Sequence, residues 1–340
     1  MTDRVQGLVD DIRTIHDHLR EEVVVATERE HVDQLSRVDR EETEDTIYAL
    51  DAVSEPRLLD LFGDLSRRHS FVMIAEGLRG GWMTFPSGTS EAEAEWRIIV
   101  DPIDGTRGVM YQKRSAWILT GVAPNLGAET SLQDIVCAVQ TEIPLIKQHL
   151  SDQLWAIRGQ GAYAERFNRL DDTRTSIRLR PSRAETIAHG FAMIARFFPG
   201  GRDELAAIDD EIVQSVLGSP APGKAQCFED QYLSTGGQLY ELLAGHDRFV
   251  ADLRPLLQPL LSRRGLPAAL CCHPYDLCTA LIASEAGAVV TDVSGQPLAA
   301  RLNVDSDVAW AGYANEAIRR LVQPALQAAL RRRGWLPDAQ

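Results

Sequence analysis

A chain of 340 residues, 44% hydrophobic and 25% charged, has the makings of one large or two medium globular domains and excludes a disordered or fibrous class. Its formal net charge of −14 sets a repulsive mean field against a nucleic-acid duplex, so an anionic substrate would need cations at its site. No run approaches the roughly 20 apolar residues of a membrane span, and the first segment, MTDRVQGLVDDIR, is amphipathic rather than signal-like; the expected setting is cytoplasmic, without membrane.

The chain opens with Val5, Leu8, Val9, Ile12, Ile15 and Leu19 at three- and four-residue steps, which predicts an amphipathic helix. Ser54-Glu55-Pro56 reads as the start of a second, with Ser54 as cap and Leu58, Leu59, Leu61 and Phe62 as its buried stripe. Strands are predicted at 70–75, 97–100, 117–122, 135–140 and 153–157, separated by Gly-, Pro- and Asn-rich turns. Beyond the polar run at 171–175 and Arg180-Pro181 the pattern becomes helix and strand in alternation, with helices at 204–217, 233–244, 275–286 and 316–332 and a strand at 288–291. A domain boundary is therefore expected near residue 180, between an N-terminal α+β domain (1–180) and a C-terminal α/β domain (181–340). The five cysteines lack disulfide spacing and suit a reducing compartment; Cys271, Cys272 and Cys278 beside His273 match no standard zinc pattern and read better as buried thiols.

The stretch WRIIVDPIDGTRG, 96–108, carries the chemistry. Pro102 constrains the backbone where the strand is predicted to end, and Asp101 and Asp104 emerge three residues apart with the Ile103 carbonyl between them. Two carboxylates and a carbonyl suit a hard cation, Gly105 allows close approach of backbone to a ligand, and Thr106 offers a hydroxyl to orient water. A plain β-turn with Asx capping explains the same residues equally well. Two other carboxylates sit in related contexts: Glu76 follows the run Phe71 to Ala75 and precedes Gly77, and Asp276 precedes LCTALIASEAGAVV, where it is either a ligand or a helix cap.

Together these motifs resemble the inositol monophosphatase family, within the superfamily of magnesium-dependent, lithium-sensitive phosphatases that also includes fructose-1,6-bisphosphatases. IIVDPIDGT resembles its first signature, YDLCTALIASEAGAVVTDVSGQPL its second, and AEG at Glu76 its glutamate motif, in the family's order. The resemblance implies a layered α-β-α-β-α sandwich of the sugar-phosphatase type. It implies that Glu76, Asp101, the Ile103 carbonyl, Asp104 and Asp276 bind two or three Mg²⁺ ions, with Thr106, Asp51 and Glu76 catalytic. Gly105, Thr106, Arg107, Gly236, Gly237 and Asp252 would then contact substrate, Asp252 by accepting hydrogen bonds from polyol hydroxyls. The implied reaction is hydrolysis of a small-metabolite phosphate monoester, of inositol-phosphate or sugar-phosphate type, by a metal-activated water in a homodimeric enzyme. Fructose 1,6-bisphosphate and 3′-phosphoadenosine 5′-phosphate are alternative substrates, and a non-catalytic phosphometabolite-binding protein is the alternative of another class.

The sequence departs from the family at Gly77, where many relatives have a second glutamate, and at Tyr275, which replaces a tryptophan. After Thr106 it reads RGVMYQKRSAW, closer to nucleotide-bisphosphate phosphatases than to inositol monophosphatases. Arg107, Lys113 and Arg114 either face a second phosphate or form a solvated loop. The run 256–272 is longer than in compact relatives and is expected to wall the pocket or to form a dimer contact.

Overall fold

The structure, a computed structural model, describes residues 2–41, 46–78, 80–219 and 222–337. Its first part comprises α1 (Thr2–Arg29), α2 (Val32–Leu35), β1 (Val38–Glu41), β2 (Thr46–Tyr48), α3 (Ala49–Leu65), β3 (Phe71–Ala75), β4 (Trp82–Phe85) and β5 (Trp96–Asp104). There follow α4 (Thr106–Met110), β6 (Ala116–Pro124), β7 (Cys137–Ile143), β8 (Leu150–Ile157), β9 (Ala162–Asn168), β10 (Thr173–Ile177) and β11 (Phe191–Ile194). The rest is α5 (Arg202–Leu217), α6 (Thr235–Leu243), β12 (Asp247–Asp252), α7 (Gln258–Arg263), α8 (Ala280–Ala286), β13 (Val289–Asp292), β14 (Trp310–Tyr313) and α9 (Glu316–Arg332).

The larger sheet runs β10-β9-β8-β7-β6-β5-β3-β4 and the smaller β11-β12-β14-β13. Both faces of the larger sheet are covered, and its strands show why. Along β3, Phe71, Met73 and Ala75 pack into the core under α1 and α3, while Val72 and Ile74 enter the core between the sheets. Period-two alternation thus separates two apolar faces rather than an apolar from a polar one. Helices α6 and α8 fill the space between the sheets, and α5 and α9 cover the outer face of the smaller one around Ile208, Ile212, Val322 and Leu326. The layers run α-β-α-β-α, as the sequence resemblance implied.

Three local expectations are corrected. Helix α3 begins at Ala49, not Ser54, and carries Pro56 inside it. Its start is set by Asp51, whose Oδ2 accepts the Tyr48 N–H at 2.9 Å, so an acid in the first turn outweighs the Ser-Glu-Pro signal. The polar run at 171–175 forms part of the turn of the β9–β10 hairpin and the first residues of β10: Asp171 Oδ1 accepts the Thr173 N–H at 3.1 Å, and cross-strand pairing stabilises an exposed edge strand that lacks an apolar face. Finally, α8 begins at Ala280, and Asp276 lies in the turns before it rather than at its cap. Among the described residues no helix is long and apolar enough to cross a membrane.

Candidate active site

Strands β3 and β5 are parallel neighbours, with Ala75 level with Val100, so the next residue on each, Glu76 just past the end of β3 and Asp101 within β5, stands at the same end of the sheet. Proximity of carboxylates 25 positions apart is therefore a consequence of strand register. Against β6, Asp101 pairs with Leu119 and Asp104 with Trp117, so β5 holds an extra residue at Pro102-Ile103. In a regular strand, residues three apart point to opposite faces; the bulge re-aims them, and Pro102, lacking an N–H, occupies a place where the ladder is already broken. The strand thus runs through the motif to Asp104 instead of ending at Val100. The Asx-type bond is also present, Asp101 Oδ1 accepting the Ile103 N–H at 3.0 Å, so the turn reading and the cluster reading describe the same residues.

Asp101, Asp104 and Asp276 each direct a carboxylate oxygen into a group lying within 4.8 Å of one another, the one such group of possible metal ligands among the described residues. Burial pushes the Asp101 carboxyl well above the usual carboxylate range, and Asp104, Asp276 and Glu76 add repulsion. Asp276 is raised for the same reasons, burial first and Asp104 next. Burial lifts Asp104 to about 6, held down by three donors at the start of α6: Ser234 Oγ at 2.7 Å, the Gly236 N–H at 2.6 Å and the Thr235 N–H at 3.2 Å. Ser234 caps α6 by accepting the Gly237 N–H at 2.8 Å, and so ties the helix end to Asp104. A side-chain carbon at Gly236 would stand 2.6 Å from Leu119 Cδ2 and 2.9 Å from Asp104 Oδ2, which is why the position has none. Gly105, at φ 94°, makes the left-handed turn from β5 into α4.

Thr106 Oγ1 lies 2.7 Å from Asp51 Oδ1 and 2.8 Å from the Ile103 carbonyl oxygen. Asp51 therefore serves both the start of α3 and Thr106; Asp45, nearby in sequence, lies outside the described residues. A single cavity gathers Asp51, Glu76, Asp101, Ile103, Asp104, Gly105, Thr106, Arg107 and Asp276. Concentrated, buried negative charge built wholly from oxygen donors fits a hard divalent cation.

Other expected contacts are not brought to the cavity. Gly236 and Gly237 act through Asp104 and Ser234 and do not line it. Asp252 is fully buried and engaged by Arg254, its Oδ1 2.9 Å from Nε, so a polyol hydroxyl cannot replace that partner without leaving a buried guanidinium unpaired. Arg114 pairs with Asp230 and lies over the Tyr232 ring, and neither it nor Lys113 lines the cavity. Leu270 and Cys271 line the cavity, from the run 256–272 that was expected to wall the pocket or to form a dimer contact, and the cavity also contains residues that the sequence reading missed: Tyr48, Phe197, Phe198, Ser234, Thr235 and Arg254. Of these only Ser234 carried a readable signal, as a cap before Thr235-Gly236-Gly237. Burial raises the Cys271 thiol to about 12 and those of Cys272 and Cys278 far above their ordinary value, so all three are protonated thiols near neutral pH.

No protein-family model matches the sequence, and no curated protein matches it. Solved structures do match. The extragenic suppressor protein suhB from Bartonella henselae superposes with a TM-score of 0.62 at 17% identity, covering 94% of this chain and 98% of that one. Leishmania major fructose-1,6-bisphosphatase gives 0.67 at 12% identity over 94% and 93% of the two chains. The chain has the inositol monophosphatase-like fold. Thermotoga maritima IMPase shares this fold, with a TM-score of 0.57 at 16% identity over 97% of this chain and 99% of the other.

Proposed function

We propose that the protein hydrolyses a phosphate monoester of a small metabolite with Mg²⁺ as cofactor. The observation that carries the reading is the convergence of Asp101, Asp104 and Asp276 in one cavity with Glu76 and with the Thr106–Asp51 pair. Glu76, the three aspartates and the Ile103 carbonyl would hold the ions. Magnesium bound there would acidify a water and offset charge developing on the leaving oxygen. Thr106 has one hydroxyl hydrogen and two acceptors for it, Asp51 Oδ1 and the Ile103 carbonyl, so its oxygen lone pairs remain to orient the attacking water. Asp51, 2.7 Å away, is positioned to accept the proton that Thr106 passes on. The protonated thiols of Cys271, Cys272 and Cys278 argue for direct attack by water rather than a covalent cysteine intermediate.

The test compares wild type with Asp101→Asn against inositol 1-phosphate, fructose 1,6-bisphosphate, 3′-phosphoadenosine 5′-phosphate, histidinol phosphate and glycerol 2-phosphate, with Mg²⁺ and with EDTA. Phosphate release from at least one ester should require Mg²⁺ and fall by about a thousandfold or more in the variant, given several kcal/mol of charge stabilisation from the metal. Mg²⁺ should also raise the unfolding temperature of wild type but not of Asp101→Asn, by mass action on the folded state. Absence of any Mg²⁺-dependent release, together with an unfolding temperature indifferent to Mg²⁺, would refute the reading.

A further inference from the structure

The end of β12 and the turn after it carry two charged residues, Asp252 and Arg254, of which only Asp252 had an expected role. Asp252, read from sequence as an acceptor for substrate hydroxyls, does not line the cavity, whereas Arg254 does. Arg254 is 5% exposed and immobilised from several directions. Its Nε–H is shared between Asp252 Oδ1 at 2.9 Å and Oδ2 at 3.0 Å, Nη2 donates to Oδ2, and Nη1 donates to the Leu270 carbonyl at 2.7 Å. The Phe197 ring centre lies 4.5 Å from the guanidinium carbon, and that of Phe198 lies 5.3 Å away.

A guanidinium has five N–H bonds, of which these contacts use three. Among the described residues, one N–H on each terminal nitrogen has no protein acceptor, on a nearly buried side chain that lines the cavity. Such a group can only donate, and its fork matches the paired oxygens of a phosphate or carboxylate better than a single hydroxyl. Its side-chain entropy is already lost to Asp252, Leu270 and Phe197, so little further ordering opposes binding.

We propose that Arg254 is a substrate-binding residue that receives a second anionic group, carried on the part of the substrate that departs from the scissile phosphate. This rests on the phosphatase reading above and narrows its substrate class to small metabolites bearing two anionic groups. The scissile phosphoryl group belongs beside the carboxylates of the larger sheet, where cations are demanded. The Arg254 fork and the two phenyl rings, which follow the ends of β12 and β11 in the smaller sheet, would then meet the remainder of the molecule, with the guanidinium near enough for its charge to act on Asp104 and Asp276.

The experiment measures kcat/KM with Mg²⁺ for fructose 1,6-bisphosphate and for fructose 1-phosphate, which differ only in the second phosphate. Wild type should favour the bisphosphate by about tenfold or more, the worth of a charge-assisted hydrogen-bonded pair. The double variant Arg254→Gln/Asp252→Asn removes both charges and orphans neither, and its preference should fall to within about twofold of unity. Arg254→Lys keeps a cation against Asp252 and loses the fork, so it serves if the double variant does not fold; its preference should fall by at least about threefold. A wild-type ratio near one, or a ratio preserved in a folded variant, overturns the proposal. Equal losses on both substrates do the same, since they would mean that Arg254 grips the scissile group. If wild type turns over neither ester, calorimetry with the same two sugars decides the receptor, and the phosphatase reading stands or falls separately on the wider ester panel. Tighter binding of the bisphosphate that the variant loses supports the Arg254 receptor, and equal or absent binding overturns it.

Discussion

The two sides of the cavity differ in how the chain supplies them. The side on the larger sheet takes Asp101, Asp104, Gly105 and Thr106 from one continuous stretch, whereas the other side collects Phe197, Phe198, Arg254 and Leu270 from separate loops after β11 and β12. Charge follows the same division. Asp101 and Asp104, carboxylates raised by burial, stand on the first side, a guanidinium held by a carboxylate and two aromatic rings stands on the second, and Asp276 comes from the turns before α8. A continuous stretch keeps its spacing wherever the fold puts it, so the Asp101–Thr106 part of the site is written locally, while Asp51, Glu76 and Asp276 are brought to it by the fold. A recognition wall made from separate loops has no internal spacing to preserve, and its identity depends on which loops the sheets bring together.

That contrast predicts separable kinetic effects. Thr106→Val, which keeps shape and removes the hydroxyl, should lower kcat by about a hundredfold with little change in KM, while Thr106→Ser should retain most activity, both read from steady-state kinetics. Gly236→Ala should destabilise the protein by about 1 to 3 kcal/mol in denaturant melts and weaken Mg²⁺ binding in calorimetry, because the added carbon meets Leu119 and the Asp104 carboxylate. Phe198→Ala should raise KM by about threefold to tenfold and lower kcat far less; a fall confined to kcat would break the division between the two sides. Smallest of all, Lys113→Ala should change kcat/KM by less than about twofold, as a residue that does not line the cavity.

Legibility in the sequence tracks the range of the interaction. Helix α9 is expected at its observed bounds because an apolar stripe is a local property, and the structure adds its cap, Asn315 Oδ1 accepting the Ile318 N–H at 3.0 Å. Strands β3, β5, β6, β7 and β8 were each found within a few residues of their observed ends. Strands β4, β10 and β11 were not read as strands: β4 and β10 lack a fully buried face, and β11 is a short run whose pairing with β12 comes from distant chain. The start of α3 was misplaced because Pro56 is a strong general signal for a first turn, while the Asp51 contact to Tyr48 competes with it from only a few residues away.

The sequence by itself determined the residue types and spacing of the carboxylate motif, the layered fold that its motifs resemble, and the place of Glu76 just past a strand end. Local covalent spacing and side-chain chemistry suffice for that. Only the tertiary structure decided that Asp101 and Asp104 share one cavity through a bulge, that three donors at the start of α6 close on Asp104, and that of the neighbouring pair Asp252 and Arg254 it is the guanidinium that lines the cavity. The first two depend on strand register and on packing between residues far apart in the chain; the third is a contact between near neighbours whose placement at the cavity is set by the surrounding fold.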